Sequence, residues 1–280
     1  MRTLQANEIT ATIRSLFLNL STCAGKDLTD ALDKALIHEQ SPAGRDVLGQ
    51  IIENYAIARE EQVAICQDTG MAVVFARVGQ DLHIQGDFEA AVQEGVRQAY
   101  ADGYLRKSVV KDPLFDRSNT GDNTPAVIHV RLVPGDRLHL TAIAKGFGSE
   151  NMSALNMLVP ADGVEGVRRF VLQTVEKAGP NPCPPLILGI GVGGTFEQAA
   201  LMAKKATALP LDHHNPDPQY RQLEEDLLRD VNALGVGPGG VGGRITALKV
   251  HIFHAPTHIA GLPVALNICC HAARHAETTL

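Results

Sequence analysis

No run of about 18 apolar residues occurs anywhere in this 280-residue chain, so a membrane-spanning helix is not expected. Its opening residues, Met1 to Glu8, lack a basic region followed by an apolar stretch and a small-residue cleavage site, so the expected location is the cytoplasm. Aromatic residues make up 4% of the chain and the formal net charge is −6. No dense basic run interleaved with aromatics is present, which argues against a nucleic-acid surface and means that an anionic ligand would need locally placed positive charge. The five cysteines form no CxxC pair and no scaffold spacing. That excludes a disulfide framework, a zinc ribbon and a thioredoxin-like site, and suits reduced thiols that are buried, reactive or metal-bound. The 11 histidines include no His-Glu-x-x-His pattern. No repeat, linker or low-complexity tract marks a boundary inside the chain.

What is present reads as a soluble globular protein: 45% of residues are hydrophobic and 20% charged, enough to bury a sizeable core. The expected fold is mixed α/β, a single large domain over residues 1–280 with a helical lead-in over 1–60 and mixed β-sheets surrounded by helices after it. In the lead-in, Ile9, Ile13, Leu16 and Leu20 recur at helical steps, Leu28, Leu32 and Leu36 repeat the pattern, and Val47, Ile51, Ile52 and Tyr55 make a third stripe entered through Ser41-Pro42 as cap and first residue. Val63 to Cys66 reads as a short apolar strand broken by a polar turn, and Met71 to Val78 as its continuation. Phe88 to Tyr100, Gly163 to Lys177, Phe196 to Ala208 and Leu223 to Leu234 read as helices. Strands are expected at Ala126 to Leu132 and Leu138 to Ala144, paired as a hairpin across Pro134-Gly135-Asp136, and at Leu186 to Ile190, Ile245 to Phe253 and Val264 to Ile268. Thr195 and Gln198 have capping-box spacing. Val109 to Thr124 is a long polar loop of the kind that carries function.

Three cysteines sit in separate segments that look built to hold a small polar group. Cys66 opens Cys66-Gln67-Asp68-Thr69-Gly70, which puts a thiol, an amide, a carboxylate and a hydroxyl before a flexible glycine; the bland reading is a buried cysteine ahead of a turn. Cys183 lies among Pro180, Pro182, Pro184 and Pro185, a stiff frame that pre-positions a ligand or only joins a helix to a strand. Cys270 follows a strand and precedes His271 and Arg274; of Cys269 and Cys270, one faces a given site, because neighbouring strand side chains point oppositely. Cys23 reads as structural. Three thiolates are one short of a closed four-cysteine site, and an iron–sulfur cluster held that way keeps one iron open.

Two glycine-punctuated segments add donors. Gly189 to Gly194 formally matches GxGxxG between a strand and a helix, but Asp212, at the spacing of a ribose ligand, falls in a Pro-rich loop; a tight turn whose amides hold an anion or simply pack fits better. Lys145-Gly146-Phe147-Gly148-Ser149-Glu150-Asn151 suits a carboxylate, or is a plain strand-to-helix connection. Arg106, Lys107, Lys111 and Arg117 bring cations to the edge of the polar loop, as a clamp for a dicarboxylate or as a solvated face. Of the histidines, His258, placed just before the strand that leads to Cys270, is retained.

Taken in order, Cys66-Gln67-Asp68-Thr69-Gly70, Asn119-Thr120-Gly121-Asp122-Asn123-Thr124-Pro125, Lys145 to Asn151, Gly179 to Pro185, Gly193-Gly194-Thr195-Phe196-Glu197 and Cys270 to Arg274 resemble the class I, iron–sulfur-dependent fumarate hydratases. The match runs from about residue 40 onward, and within that family the chain is similar to the alpha subunit of the two-subunit form. The related L(+)-tartrate dehydratase alpha subunit shares the first cysteine motif and the proline-flanked cysteine; the Lys145 to Asn151 segment is more like fumarase. Where some relatives carry tryptophan after the third cysteine, this chain has His271.

The resemblance implies that Cys66, Cys183 and Cys270 hold a [4Fe-4S] cluster whose fourth iron binds substrate. It places substrate contacts at Gln67, Asp68, Arg106, Gly148 and His258, with Gln67, Asp68, Arg106 and His258 as the catalytic group. The implied reaction is the hydro-lyase step of the tricarboxylic acid cycle, reversible hydration of fumarate to (S)-malate, with the open iron as Lewis acid. No group of this chain is an obvious base for the C3 proton; the resemblance puts that base on a beta subunit, so the chain is expected to be inactive alone and to form a heterotetramer through alpha–alpha contact. The alternatives are a dehydratase of L(+)-tartrate or another small hydroxy-dicarboxylate, a non-catalytic iron–sulfur redox-sensing subunit, and a dinucleotide-binding oxidoreductase.

Overall fold

A computed structural model describes residues 2–280, with elements numbered here in chain order. The fold is mixed α/β, and the chain sorts into two compact units, each drawing on separated stretches. The first comprises residues through Gly25, Asn54–Phe147 and Arg274–Leu280; the second comprises Lys26–Glu53 and Gly148–Ala273. This interleaving is the physical reason why no linker is visible in the sequence. Among the described residues, no helix is long and apolar enough to cross a membrane.

In the first unit, β1 (Arg2–Gln5) pairs in parallel with β3 (Leu82–Gln85), and α1 (Ala6–Thr22) packs on α4 (Phe88–Asp102). Helix α1 exists because its apolar residues fall on one face: Ile9, Ile13, Phe17 and Leu20 are all buried. They meet Val92, Val96, Ala99 and Tyr100 of α4 in one core, and each fully buried large side chain contributes roughly 1.5–3 kcal/mol. Asp87 caps α4 by accepting from the Ala90 amide. Below lies a four-stranded sheet in the order β10 (His275–Thr279), β5 (Leu138–Lys145), β2 (Met71–Gly79), β4 (Val127–Val133).

That order corrects one expectation. The strands on either side of Pro134-Gly135-Asp136 exist but do not form a hairpin: β2 lies between them, antiparallel to β5 and parallel to β4. Strand β2 is buried at five successive positions, Ala72 to Ala76, as befits a central strand covered on both faces. The segment Val63 to Cys66 is not a strand either. Its backbone is satisfied away from any ladder, the Ile65 amide by the Ser21 carbonyl at 2.9 Å and the Ile65 carbonyl by the Asn54 amide side chain at 2.9 Å. Cys23 sits just past the end of α1 as its C-cap.

In the second unit the sheet order is β6 (Ala154–Leu158), β9 (Leu262–Cys269), β7 (Leu186–Gly193), β8 (Ala247–Ala255). Every residue of β7 is buried. It pairs in parallel with β8 and antiparallel with β9, and α7 (Phe196–Ala206) lies across it. Helices α6 (Gly163–Ala178) and α8 (Pro218–Ala233) supply Val167, Val171, Val175, Leu227 and Val231 to its core. The unit also contains α2 (Lys26–His38) and the first part of α3 (Pro42–Glu61), whose remainder, from Asn54, belongs to the first unit. Ser41 caps α3 ahead of Pro42, accepting from the Gly44 amide at 3.3 Å.

The glycines of the GxGxxG match are packing residues. Gly189 and Gly191 lie inside β7, where a Cβ would stand 2.2 Å from the Ala203 carbonyl oxygen and 2.1 Å from that of Ala199. They let α7 lie directly on the strand, and the segment is therefore no cradle for a dinucleotide. Nor does Thr195 form a capping box: its hydroxyl donates to Glu197 Oε1 at 2.6 Å, and no side-chain cap bond is made. That bond holds the Glu197 carboxyl below its usual range. Glu39, only 1% exposed, is the clamp of the glycine-rich segment that precedes β8. It accepts from the amides of Gln40, Ser41, Arg244 and Ile245 at 2.8 to 3.1 Å. Burial opposes its ionisation, and these amides outweigh burial and hold its pKa down.

Candidate active site

In the first unit the turn after Cys66 is held from four directions. Asp68 Oδ1 accepts from the Gly70 amide at 3.0 Å, and its Oδ2 accepts from the Phe147 amide at 2.8 Å. The buried Thr69 hydroxyl donates to the Arg106 carbonyl at 2.6 Å. The Tyr100 hydroxyl reaches the carbonyls of Thr69 at 2.8 Å and Gly70 at 3.1 Å. Asn123, fully buried, donates to the Gly70 carbonyl at 3.1 Å and accepts from the amides of Ser108 and Val109 at 2.7 and 3.2 Å. Asp68 is thereby a carboxylate of fixed orientation, and the backbone of Arg106 is tied to the turn that carries it. The side chains themselves stay accessible: Gln67 and Arg106 are exposed, Cys66 and Asp68 half-buried. A fixed carboxylate beside an exposed amide, on a turn tied to the backbone of an exposed arginine, is a set whose residue types can bind a small hydroxy-acid and move a proton on it.

Tyr100 stays a donor because burial pushes its phenol well above the ordinary value; the charge of Arg274 opposes that shift and the charge of Asp68 adds to it. Asp122, next to Asn123, is oppositely tuned. Burial works against its ionisation, but the amide and hydroxyl of Thr124 and the guanidinium of Arg97 prevail and place it at about 2. A folded pKa below the unfolded one gives stability that is complete above the unfolded value and fades as pH falls through the folded one. Asp122→Asn should therefore cost about 1–2 kcal/mol near neutral pH, and this difference should shrink between about pH 4 and pH 2, as read by urea unfolding of both proteins across that range.

The second unit holds Cys183, Gly148, Cys270 and His258. Cys183 is exposed and has a backbone φ of 54°, in the left-handed region that a residue with a Cβ rarely adopts. Its amide donates to the Pro180 carbonyl at 3.0 Å, and its carbonyl accepts from the His271 amide at 3.5 Å. That contact brings the proline-framed loop beside the segment of Cys270. Cys269, the last residue of β9, is buried like the strand before it, and Cys270, just past the strand, is half-buried. Gly148, exposed in the short helix α5 (Phe147–Glu150), also faces this loop: a Cβ on it would lie 3.9 Å from the Asn181 carbonyl oxygen. His258 is elsewhere in the unit, on the exposed connection from β8 to β9, with Nδ1 accepting from the Ala260 amide at 3.2 Å. It borders a largely apolar hollow of about 610 Å³ lined by Val164, Val167, Leu223, Ile259 and Leu262, and none of the other predicted site residues lines it.

Among the described residues, no group of three or more His, Cys, Asp and Glu side chains stands close enough together to hold a metal ion. The donor chemistry nonetheless fits an iron–sulfur cluster in kind. Cys66, Cys183 and Cys270 are thiols outside any disulfide, and none of them is buried. Soft thiolates are the ligands that such clusters take. No residue pattern gives Tyr100, Asn123 or Arg274 a role: Asn123 and Arg274 lie inside motifs as neighbours of other groups, Tyr100 ends a helical stretch, and Thr69 is legible only as the hydroxyl of the Cys66 segment.

Comparison with known proteins gives the same direction. The family profile described as "Fumarate hydratase (Fumerase)" matches residues 10–279. A protein of Methanocaldococcus jannaschii named "Putative L(+)-tartrate dehydratase subunit alpha" is 39% identical over 274 residues, covering 96% of each chain. L(+)-tartrate dehydratase subunit alpha of Escherichia coli strain UTI89 is 30% identical over 283 residues, 98% of this chain and 93% of that one. The protein of the same name from strain K12 is 29% identical over the same length.

Proposed function

Because the chain belongs to the fumarate hydratase (Fumerase) family, we propose that it is the alpha subunit of an iron–sulfur hydro-lyase that interconverts fumarate and (S)-malate together with a beta subunit. The observation that supports this reading best is the turn of Cys66. A candidate cluster ligand, an amide-held carboxylate at Asp68 and the tether to Arg106 all lie on one braced segment. Cys66, Cys183 and Cys270 would hold a [4Fe-4S] cluster, which supplies a Lewis acid for the poor leaving group of a hydroxy-acid. Arg106 binds a substrate carboxylate through its planar fork. Gln67 hydrogen-bonds the substrate, and Asp68 gives or takes a proton at the substrate hydroxyl. Gly148 allows the substrate to approach the backbone near the Cys183 loop. His258 is assigned a contact to substrate on resemblance. The base for the C3 proton is assigned to the beta subunit, as is the completion of an active heteromer in the cytoplasm.

A second reading is favoured by a specific finding: the relatives named above are tartrate dehydratase alpha subunits. The two readings share the cluster and the carboxylate clamp and differ in whether the substrate carries a second hydroxyl. Anaerobically reconstituted alpha–beta complex, assayed with (S)-malate and with L(+)-tartrate, separates them. The first reading expects kcat/KM for malate to exceed that for tartrate by about 100-fold, the scale on which a site rejects an analogue that only adds a hydroxyl; the reverse ratio establishes the second. A cluster-bearing complex without turnover on either substrate would overturn both in favour of a non-catalytic subunit.

A further inference from the structure

Arg274 is only 3% exposed, and its Nε and Nη1 hydrogen-bond to no group among the described residues. Its position is set by the backbone, because its carbonyl accepts from the Ala144 amide at 3.0 Å at the head of β10. A guanidinium does not shed its proton in a protein, so burial cannot be relieved by neutralisation and must be answered by an anion. The carboxylate of Asp68 is close by, though it makes no direct ion pair with the guanidinium. The face of Gly146 is where two side chains of opposite charge converge: a Cβ placed there would stand 3.0 Å from Asp68 Oδ2 and 3.4 Å from Arg274 Nη2. The Tyr100 hydroxyl lies within reach of both charges, which act on it with opposite sign. Gly146 itself is buried, and the absence of a side chain is what lets the two groups approach.

We propose that Arg274 is a positioning residue for Asp68, a fixed buried counter-charge that acts through space to favour the carboxylate in the orientation set by the amides of Gly70 and Phe147. The proposal rests on the reading of Asp68 as a substrate-contacting group, and its test separates the two. The first arm needs neither partner nor substrate: thermal unfolding of the full chain as wild type, Arg274→Gln, Asp68→Asn and the double variant. A coupled pair makes the double variant more stable than the sum of the single losses by roughly 3 °C or more. Strict additivity would overturn the pair. Should Arg274→Gln fail to fold, Arg274→Lys, which keeps a point charge, takes its place in the same cycle. The second arm uses the alpha–beta complex. Arg274→Gln should lower kcat by about tenfold to a hundredfold with KM within about twofold, and Arg274→Lys should recover most of the loss, whereas a side chain that merely fills space would lower stability and leave kcat unchanged. Coupling with unchanged kcat overturns the positioning role. Coupling in a wild-type complex that turns over no hydroxy-dicarboxylate overturns the functional reading instead.

Discussion

Changing Cys183 to serine should abolish the proposed cluster and with it the proposed hydro-lyase turnover, and the same should hold for Cys66→Ser and Cys270→Ser. A serine oxygen is harder and far less acidic than a thiol, so it is a poor ligand for iron–sulfur chemistry. Lewis-acid stabilisation of a leaving group is worth several kcal/mol, so activity should fall by about 10³-fold or more. The controls come from the same fold. Cys269 is buried on β9 in register with Ile187, and Cys23 only ends α1; serine at either should leave iron and sulfide content intact. Iron and sulfide analysis of anaerobically reconstituted variants decides the matter. Full cluster content in all three of Cys66→Ser, Cys183→Ser and Cys270→Ser would end the ligand assignment.

The second large effect is on stability. Gly70 closes the Cys66 turn at φ +77°, and a Cβ there would stand 2.8 Å from the backbone carbons of both Ala144 and Lys145 in β5. Gly70→Ala thus meets two costs. The left-handed conformation is unfavourable by about 1–2 kcal/mol for a residue with a Cβ, and overpacking against backbone that cannot rotate away adds about 1–3 kcal/mol. Together these should lower the thermal midpoint by about 6–15 °C. Gly121→Ala isolates the first term, because Gly121 has φ +86° with open space around it. Gly148→Ala isolates function: that glycine has room for a methyl group, so its loss should reduce turnover while leaving the midpoint in place. A Gly70→Ala protein as stable as Gly121→Ala would show that β5 yields, and that the turn is not braced as described.

The helices of residues 1–60 were legible because their apolar residues recur at helical spacing over three or more turns, a signal that tertiary packing reinforces. The short strands β1, β3, β6 and β10 were not, since four or five residues carry too little alternation to stand out. The hairpin expectation failed for a different reason. Two strands joined by a good turn are natural neighbours, but β2, which comes earlier in the chain, inserts between them. At the candidate site, side chains with intrinsic chemistry could be picked out: Cys66, Asp68, Arg106 and Cys183. Their supports could not, because Tyr100, Asn123 and Thr69 act through backbone carbonyls and amides that no residue pattern encodes. Arg274 is legible only as the end of the motif that begins at Cys270, because its meaning lies in what surrounds it.

The last strand of the chain, β10, lies against β5, and Leu138 and Leu280 exchange both of their backbone hydrogen bonds, at 3.0 and 2.8 Å. The sheet that bears the Cys66 turn therefore cannot complete its edge until the ribosome has released everything between those two leucines, including all of the β7 sheet. Until then β5 exposes an unpaired edge, the kind of surface that recruits other chains. Closing so long a loop is also slow. Synthesis thus leaves the nascent protein with a period of vulnerability, and the β5 edge is where non-native association should begin.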